Sequence, residues 1–311
     1  MEFNHESVLL KECIDNLDIK EDGIYVDGTL GGAGHSKEIL KKISSEGILI
    51  GIDRDKDALK ESKKVLEKVN NNFKLVHGNF SDIKRILEKL NVKKIDGFLL
   101  DLGVSSYQID NPKRGFSYMR EGKLDMRMNQ DQSLTAEKVI NQYSYKKLVK
   151  IFFDYGEENH SKRIAKNIVN KRKEKKIKTT RQLVDVIKDS LPKKVLYSNS
   201  HPAKRIFQAV RIEVNNELGI IKDTIKDAVD LLKKDGKIVI ITFHSLEDRI
   251  VKHTFKDLYN DCTCPDGMPI CTCDEKKVIE IITKKPIYPS KKELDENSRS
   301  RSAKLRVAKK L

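Results

Sequence analysis

The sequence predicts an α/β protein, a doubly wound parallel sheet of the Rossmann-like kind that carries an all-helical insert. Three observations predict it. Short apolar runs alternate with helical stretches as far as Asp101, and several of those runs end in a carboxylate. The alternation stops near Ser105 and resumes after Val210. Strands separated by helices at this spacing are joined as parallel crossover units. The expected organisation is therefore a sheet domain in two parts, residues 1–104 and 211–311, around a helical insert of residues 105–210 that handles the substrate.

Ile24-Tyr25-Val26-Asp27 reads as the first strand, and after the glycine-rich residues 28–34 a helix is expected over 36–43. Ile48-Leu49-Ile50-Gly51-Ile52 is a second, fully apolar strand capped by Asp53, with a helix over 57–69. A third strand over 73–76 runs into His77-Gly78-Asn79-Phe80. A helix over 83–90 leads to a fourth strand, 95–100, which ends at Asp101. Between 105 and 210 only helical stretches appear, at 136–140, 145–153, 164–171 and 180–190. An amphipathic helix over 217–234 stops at Asp235-Gly236, a fifth strand covers 237–243, and a helix runs on through Lys252. Residues 278–282 and 303–307 are the closing strands.

Composition narrows the class. Of 311 residues 38% are hydrophobic and 35% charged, enough for a core and too many charges for a membrane protein. No run approaches the roughly 18 apolar residues that a spanning helix needs. The N-terminal Met1-Glu2-Phe3-Asn4-His5-Glu6 lacks the apolar core of a secretory signal, so a cytoplasmic location is expected. The formal net charge of +15 implies a polyanionic partner, nucleic acid before membrane. The surplus is clustered: residues 162–178 hold nine basic residues against Glu174, and residues 299–310 hold six with no acid. The bland alternative for the first cluster is the solvated face of a helix. The five cysteines are Cys13, assigned to the core, and Cys262, Cys264, Cys271 and Cys273. Four thiolates could close a zinc site, but one residue separates each pair where structural zinc pairs use two to four. Reduced loop cysteines and no metal are expected.

A nucleotide-type ligand on such a sheet binds at the carboxyl ends of the strands. Asp27, the 28–34 loop, Asp53, Phe80 and Asp101 all fall there. Glycines let backbone approach a ligand closely. The dinucleotide fingerprint fits poorly, because Lys37 occupies its third glycine position. That disfavours a nicotinamide-dependent dehydrogenase. Asp27-Gly28-Thr29-Leu30-Gly31-Gly32-Ala33-Gly34 instead resembles the first motif of Rossmann-like methyltransferases, which bind S-adenosylmethionine. Asp53 suits the ribose hydroxyls, since a carboxylate accepts two hydrogen bonds. Phe80 can stack on adenine or belong to the core. The loop alone could be a tight turn with Asp53 as a helix cap, and Asp101 is either a turn cap or an active-site acceptor.

One family is resembled in particular, the bacterial 16S ribosomal RNA cytosine-N4 methyltransferases. The blocks that carry the resemblance are His5-Glu6-Ser7-Val8-Leu9-Leu10, residues 27–35 and Asp101-Leu102-Gly103-Val104-Ser105-Ser106-Tyr107-Gln108. Further on come Arg114-Gly115-Phe116-Ser117, Leu124-Asp125-Met126-Arg127-Met128, and His201-Pro202-Ala203-Lys204-Arg205-Ile206-Phe207-Gln208-Ala209. Thr242-Phe243-His244-Ser245-Leu246-Glu247-Asp248-Arg249 and Arg301-Ser302-Ala303-Lys304-Leu305-Arg306 complete the set. They run in order along nearly the whole chain. One departure is a serine, Ser298, after Asn297, where the family usually has proline.

The resemblance implies S-adenosylmethionine contacts at Ala33, Gly34, His35, Asp53, Phe80, Asp101 and Gln108. It implies a cytosine of the 16S decoding region as acceptor, 16S rRNA in the small ribosomal subunit as partner, no membrane, and a homodimer as one option for assembly. Methyl transfer from a sulfonium is an in-line displacement, so catalysis is mostly placement. The cytosine amine is a poor nucleophile because its lone pair is delocalised into the ring. A residue that holds an N–H out of the ring plane localises that pair. By position Asp101 is the catalytic candidate, with Ser105 or Ser106 as second choices. Other amino-methyltransferases follow the acidic or amide residue with two prolines and an aromatic, so Asp101 could instead only anchor the cofactor. Phe116, Tyr118 and Phe243 are aromatics that can stack on an extruded base or serve as core.

Overall fold

The computed structural model describes residues 7–196, 201–260 and 277–311. The chain divides into two compact units, residues 1–103 with 218–311, and residues 104–217. The expected boundary at 210 falls inside a helix.

The first unit begins with α1 (Leu10–Leu17), which the sequence pattern does not announce, and continues through β1 (Ile24–Asp27), α2 (Gly34–Lys42), β2 (Ile48–Asp53) and α3 (Lys56–Leu66). Then come β3 (Phe73–His77), α4 (Ile83–Lys89) and β4 (Ile95–Asp101). The second unit holds α5 (Ser106–Asp110), α6 (Ala136–Gln142), α7 (Tyr145–Asp154), α8 (Ser161–Glu174), α9 (Thr180–Ser190), α10 (Lys193–Leu196) and α11 (Lys204–Asn215). The first unit resumes with α12 (Ile221–Leu231), β5 (Leu232–Thr242), α13 (Ser245–Tyr259), β6 (Ile279–Ile281), α14 (Lys291–Glu296) and β7 (Lys304–Lys310).

The sheet order is β3-β2-β1-β4-β5-β7-β6. β1 to β5 pair in parallel, while β7 runs antiparallel to both β5 and β6, so the sheet is mixed rather than wholly parallel. Strand order reverses between β1 and β4, which opens a crevice at their carboxyl ends. β4 buries every residue from Ile95 to Leu100, as a strand covered on both faces must. β5 starts five residues earlier than the 237 expected. Asp235 adopts φ 64 and the pairing with β4 shifts register between Ile95 and Gly97, so the Asp235-Gly236 turn signal marks a bulge inside a strand.

Among its described residues the second unit contains helices and no strand of the sheet. Its own core includes Leu124, Met126, Ile140, Phe152, Ile168 and Phe207. Polar residues at the helix starts define its segments. Thr135, Ser144 and Thr179 each accept an N–H of the following turn, Thr179 in a reciprocal box with Gln182. The far end of α6 is closed by Arg172, whose guanidinium donates to the carbonyls of Ile140 at 2.6 Å and Tyr143 at 2.7 Å. α11, which begins within the 201–209 motif, is a helix beyond those expected from the sequence.

Candidate functional site

Asp27 closes β1 and is buried. Its Oδ2 accepts the Ser36 hydroxyl at 2.7 Å and its Oδ1 the Thr29 N–H at 3.0 Å. Burial pushes this carboxyl up to about 6, against the lowering effect of those hydrogen bonds. Thr29 in turn accepts the Asp101 N–H at 2.6 Å, tying the loop to the end of β4.

The loop turns through left-handed backbone at Gly31 (φ 51) and Ala33 (φ 61), the residue that precedes α2. Asp53, at the end of β2, holds it: Oδ2 accepts the Gly31 N–H at 2.8 Å and Oδ1 the Asp55 N–H at 2.8 Å. Each oxygen keeps a lone pair, so the carboxylate can still accept two hydroxyls. Burial raises its pKa as well.

The two glycines Gly32 and Gly34 have different surroundings. A Cβ on Gly34 would run into the Ser7 hydroxyl, so the space beside Gly34 belongs to the protein's own N-terminal segment. Gly32 is the loop glycine whose Cβ would meet nothing within 4 Å. The segment at Ser7 is fixed by the Leu9 N–H, which donates to Glu293 at 2.8 Å, and by His35. His35 Nε2 lies 3.0 Å from the Val8 carbonyl. A carbonyl only accepts, so Nε2 carries the proton and Nδ1 presents a lone pair, 3.8 Å from Asp101 Oδ2. Burial lowers the His35 pKa to about 4, so at neutral pH it is uncharged and brings no positive charge to Asp101.

Among the described residues the buried Oδ1 of Asp101 has no hydrogen-bond partner. Burial, then the fields of Asp27 and Glu247, push its pKa well above the usual carboxylate range. Glu247, which sequence reasoning missed, accepts the Phe243 N–H at 2.8 Å from the start of α13. The signal was a capping box, His244 to Glu247, directly after a strand. Phe80 is 8% exposed, with the Arg54 guanidinium 5.9 Å from its ring centre and core neighbours behind it.

Among the described residues no lysine or arginine pairs with Asp27 or Asp101, while Arg54, next to Asp53, lowers the Asp53 carboxyl by less than burial raises it. Three carboxyl groups thus gather at the ends of β1, β2 and β4, all raised by burial, with Arg54 beside Asp53 as a nearby cation. Buried charge of one sign demands a counter-charge or protonation.

A family model described as "MraW methylase family" matches residues 2–311. The chain belongs to that family. S-adenosylmethionine is its cofactor. Two curated relatives carry the name "Ribosomal RNA small subunit methyltransferase H". One, from Clostridioides difficile (strain 630), is 58% identical over 311 residues, covering 100% of both chains. The other, from Clostridium botulinum (strain Kyoto / Type A2), is 57% identical with the same coverage. Among solved structures, an rRNA methylase from Streptococcus thermophilus overlays with TM-score 0.42 and 10% identity, covering 97% of this chain and 92% of that one.

In this methylase six of the seven expected cofactor residues, Ala33, Gly34, His35, Asp53, Phe80 and Asp101, lie in or beside the strand-end loops of the first unit. Gln108 lies in the second unit. Its side chain accepts the Ser105 N–H at 3.1 Å while Ser105 Oγ accepts the Gln108 N–H at 3.3 Å, a capping box that starts α5. The Ser105 hydroxyl is thereby engaged locally. Tyr118 has one face stacked on His201 at 4.6 Å and meets Phe207 edge-on at 5.8 Å, so that ring is packed internally. Phe116 is core in the second unit, and Phe243 is half-buried against the core of the first. Cys13 is fully buried, as expected of a core thiol. Cys262, Cys264, Cys271 and Cys273 lie outside the described residues. Among those described, no cluster of three or more His, Cys, Asp or Glu could hold a metal ion. No helix there is long and apolar enough to cross a membrane.

Proposed function

We propose that this methylase transfers a methyl group from S-adenosylmethionine to the exocyclic N4 amine of a cytosine in the decoding region of 16S ribosomal RNA. The reaction would take place on the small ribosomal subunit in the cytoplasm. The observation that carries the reading is the buried carboxyl cluster of Asp27, Asp53 and Asp101, each raised by burial. The donor brings a sulfonium and an ammonium, positive charges of the kind that such a cluster attracts. The names of the full-length relatives support ribosomal RNA of the small subunit as substrate.

Bound there, S-adenosylmethionine supplies an electrophilic methyl group. The protein's part is placement. Asp53 would accept the ribose hydroxyls with its free lone pairs, Phe80 would lie along the adenine, and the Gly31-Gly32-Ala33 backbone would approach the amino-acid portion, with Gly34, His35 and Gln108 completing the contacts. Asp101 is the catalytic candidate. Its orphan Oδ1 is an acceptor without a donor, and a cytosine amine has N–H groups to give. A cation nearby lowers the Asp101 pKa, so the group is a carboxylate when the amine arrives. Accepting one N–H then draws the amine lone pair out of conjugation and leaves a base beside the proton to be lost.

Mass mapping of 16S rRNA from cells with and without the gene tests the reading. Loss of one N4-methyl cytosine from the decoding region is expected. An unchanged modification map overturns it.

A further inference from the structure

Resting on that reading, in which the substrate is RNA, we propose that one face of α8, carrying Lys162, Lys166 and Lys173, is the surface on which the helical unit docks RNA phosphates. α8 buries Ile164, Ala165 and Ile168 against the core of its unit. At 3.6 residues per turn, Lys162, Lys166 and Lys173 fall within about 40° of each other, on the side away from those apolar residues. They form a line about 16 Å long, from the rise of about 1.5 Å per residue. That length matches the axial rise of roughly five nucleotides of one strand, at about 3.4 Å each.

No carboxylate among the described residues neutralises the stripe. Lys162, Arg163, Lys166, Lys173, Lys175, Lys176 and Lys178 are all exposed, and among the described residues none makes an ion pair. The acid of the run, Glu174, sits 3.9 Å from Lys171, which points elsewhere on the helix. Arg172 is committed to the end of α6. The structure therefore selects three lysines out of nine basic residues and removes Arg172 from consideration.

α3 is an internal control. It carries exposed lysines at a similar density, but Lys63 lies 3.6 Å from Glu67 and Lys64 2.7 Å from Glu61. A solvated helix face balances its charges in that way. Uncompensated like charge on α8 costs stability through self-repulsion, and a polyanion offsets it. RNA is favoured over an anionic membrane because the apolar face of α8 is used up in the core. A membrane-binding helix needs that face free to insert.

The test is a KCl titration of binding to purified small ribosomal subunits by three proteins. These are the unmodified chain, the K162Q/K166Q/K173Q triple, and a K60Q/K63Q/K64Q triple on α3 that removes equal charge. Removing one lysine–phosphate interaction should lower the magnitude of the log–log salt slope by about 0.7–0.9. The slope for the α8 triple should thus fall by about 2, with a raised KM for subunits and with S-adenosylhomocysteine affinity and folding unchanged. The α3 triple should change the slope by less than about 0.5. Equal slopes for the two triples overturn the proposal. So does binding of the unmodified chain to phosphatidylserine vesicles that depends on the stripe while subunit binding does not. Methylation of the same subunits is scored in parallel. Its failure brings down the cytosine reading alone, since the slope comparison still reports docking.

Discussion

The ends of β1, β2 and β4 and the outer face of α8 are unbalanced in opposite senses. At the strand ends, three carboxyl groups gather and burial raises all of them, with Arg54 beside Asp53 only partly offsetting it there. On α8 and just beyond it, seven cations lie in solvent with no carboxylate pairing them among the described residues. Asp248 is a contrasting case, where charge is balanced. Burial pushes that carboxyl up, but Arg306 at 2.6 Å and Lys304 at 3.1 Å hold it below its ordinary value. The two unbalanced regions differ in physics. Carboxyls in a low-dielectric crevice meet a strong penalty that protonation or one small cation relieves. Solvated lysines meet a weak one, screened by salt and relieved only by a long anion. The first suits a compact cofactor and a precise amine, the second an extended backbone.

If the strand-end cluster is where chemistry happens, its substitutions should give the largest effects. Asp101→Asn keeps the shape and removes the charge and base. Turnover on small subunits should fall about 10²–10⁴-fold, the range for loss of a positioned acid–base group. S-adenosylhomocysteine affinity should change less than about tenfold. Calorimetry that finds the affinity abolished would make Asp101 an anchor for the cofactor rather than a catalytic group. Asp53→Ala should weaken the cofactor by about 1.5–3 kcal/mol, the usual worth of hydrogen bonds to a charged group. Because Asp53 also holds the Gly31 and Asp55 N–H groups, the diagnostic is a 2′,3′-dideoxyribose analogue. The loss should vanish for that analogue, and an equal loss for both ligands would confine Asp53 to loop support.

On α8 the comparison sharpens between neighbours. Arg172→Ala should cost about 1.5–3 kcal/mol of stability by leaving the Ile140 and Tyr143 carbonyls without their charged donor. Lys173→Gln should cost almost nothing. Equal melting temperatures for the two would mean that Arg172 is as free as its neighbours.

Much of this was legible before the structure. The strands from 24 to 101 and the carboxylates that end them follow from apolar runs bounded by turn residues. Tertiary commitments were not legible. Nothing in Lys171-Arg172-Lys173 says that the middle side chain reaches back to α6, because that interaction spans about thirty positions. Nothing around Gly34 says that Ser7, far earlier in the chain, stands beside it. Asp235-Gly236 is a helix stop by local rules, yet pairing with β4 turns it into a bulge. Local chemistry reaches the sequence reader. Which distant residue occupies the space does not.

The smallest expected effect is a fraction of a proton. Burial raises the pKa of a carboxyl, so the free protein binds protons that the unfolded chain has already released. The contribution is therefore destabilising at higher pH, growing from the ordinary carboxylate range near 4 up through about 6 for Asp27. A cation entering the crevice reverses this by stabilising the carboxylates, and the bound state sheds protons near pH 6. Calorimetry of cofactor binding at that pH, in two buffers of different ionisation enthalpy, reads the number released. S-adenosylmethionine should release more than S-adenosylhomocysteine, which lacks the sulfonium charge and keeps the ammonium. At pH 8 Asp27 is already ionised, so its share of the release should vanish. Heats independent of buffer at pH 6 would mean that the ligand's charges do not reach the cluster, and the pairing of a cationic cofactor with an uncompensated crevice would fail.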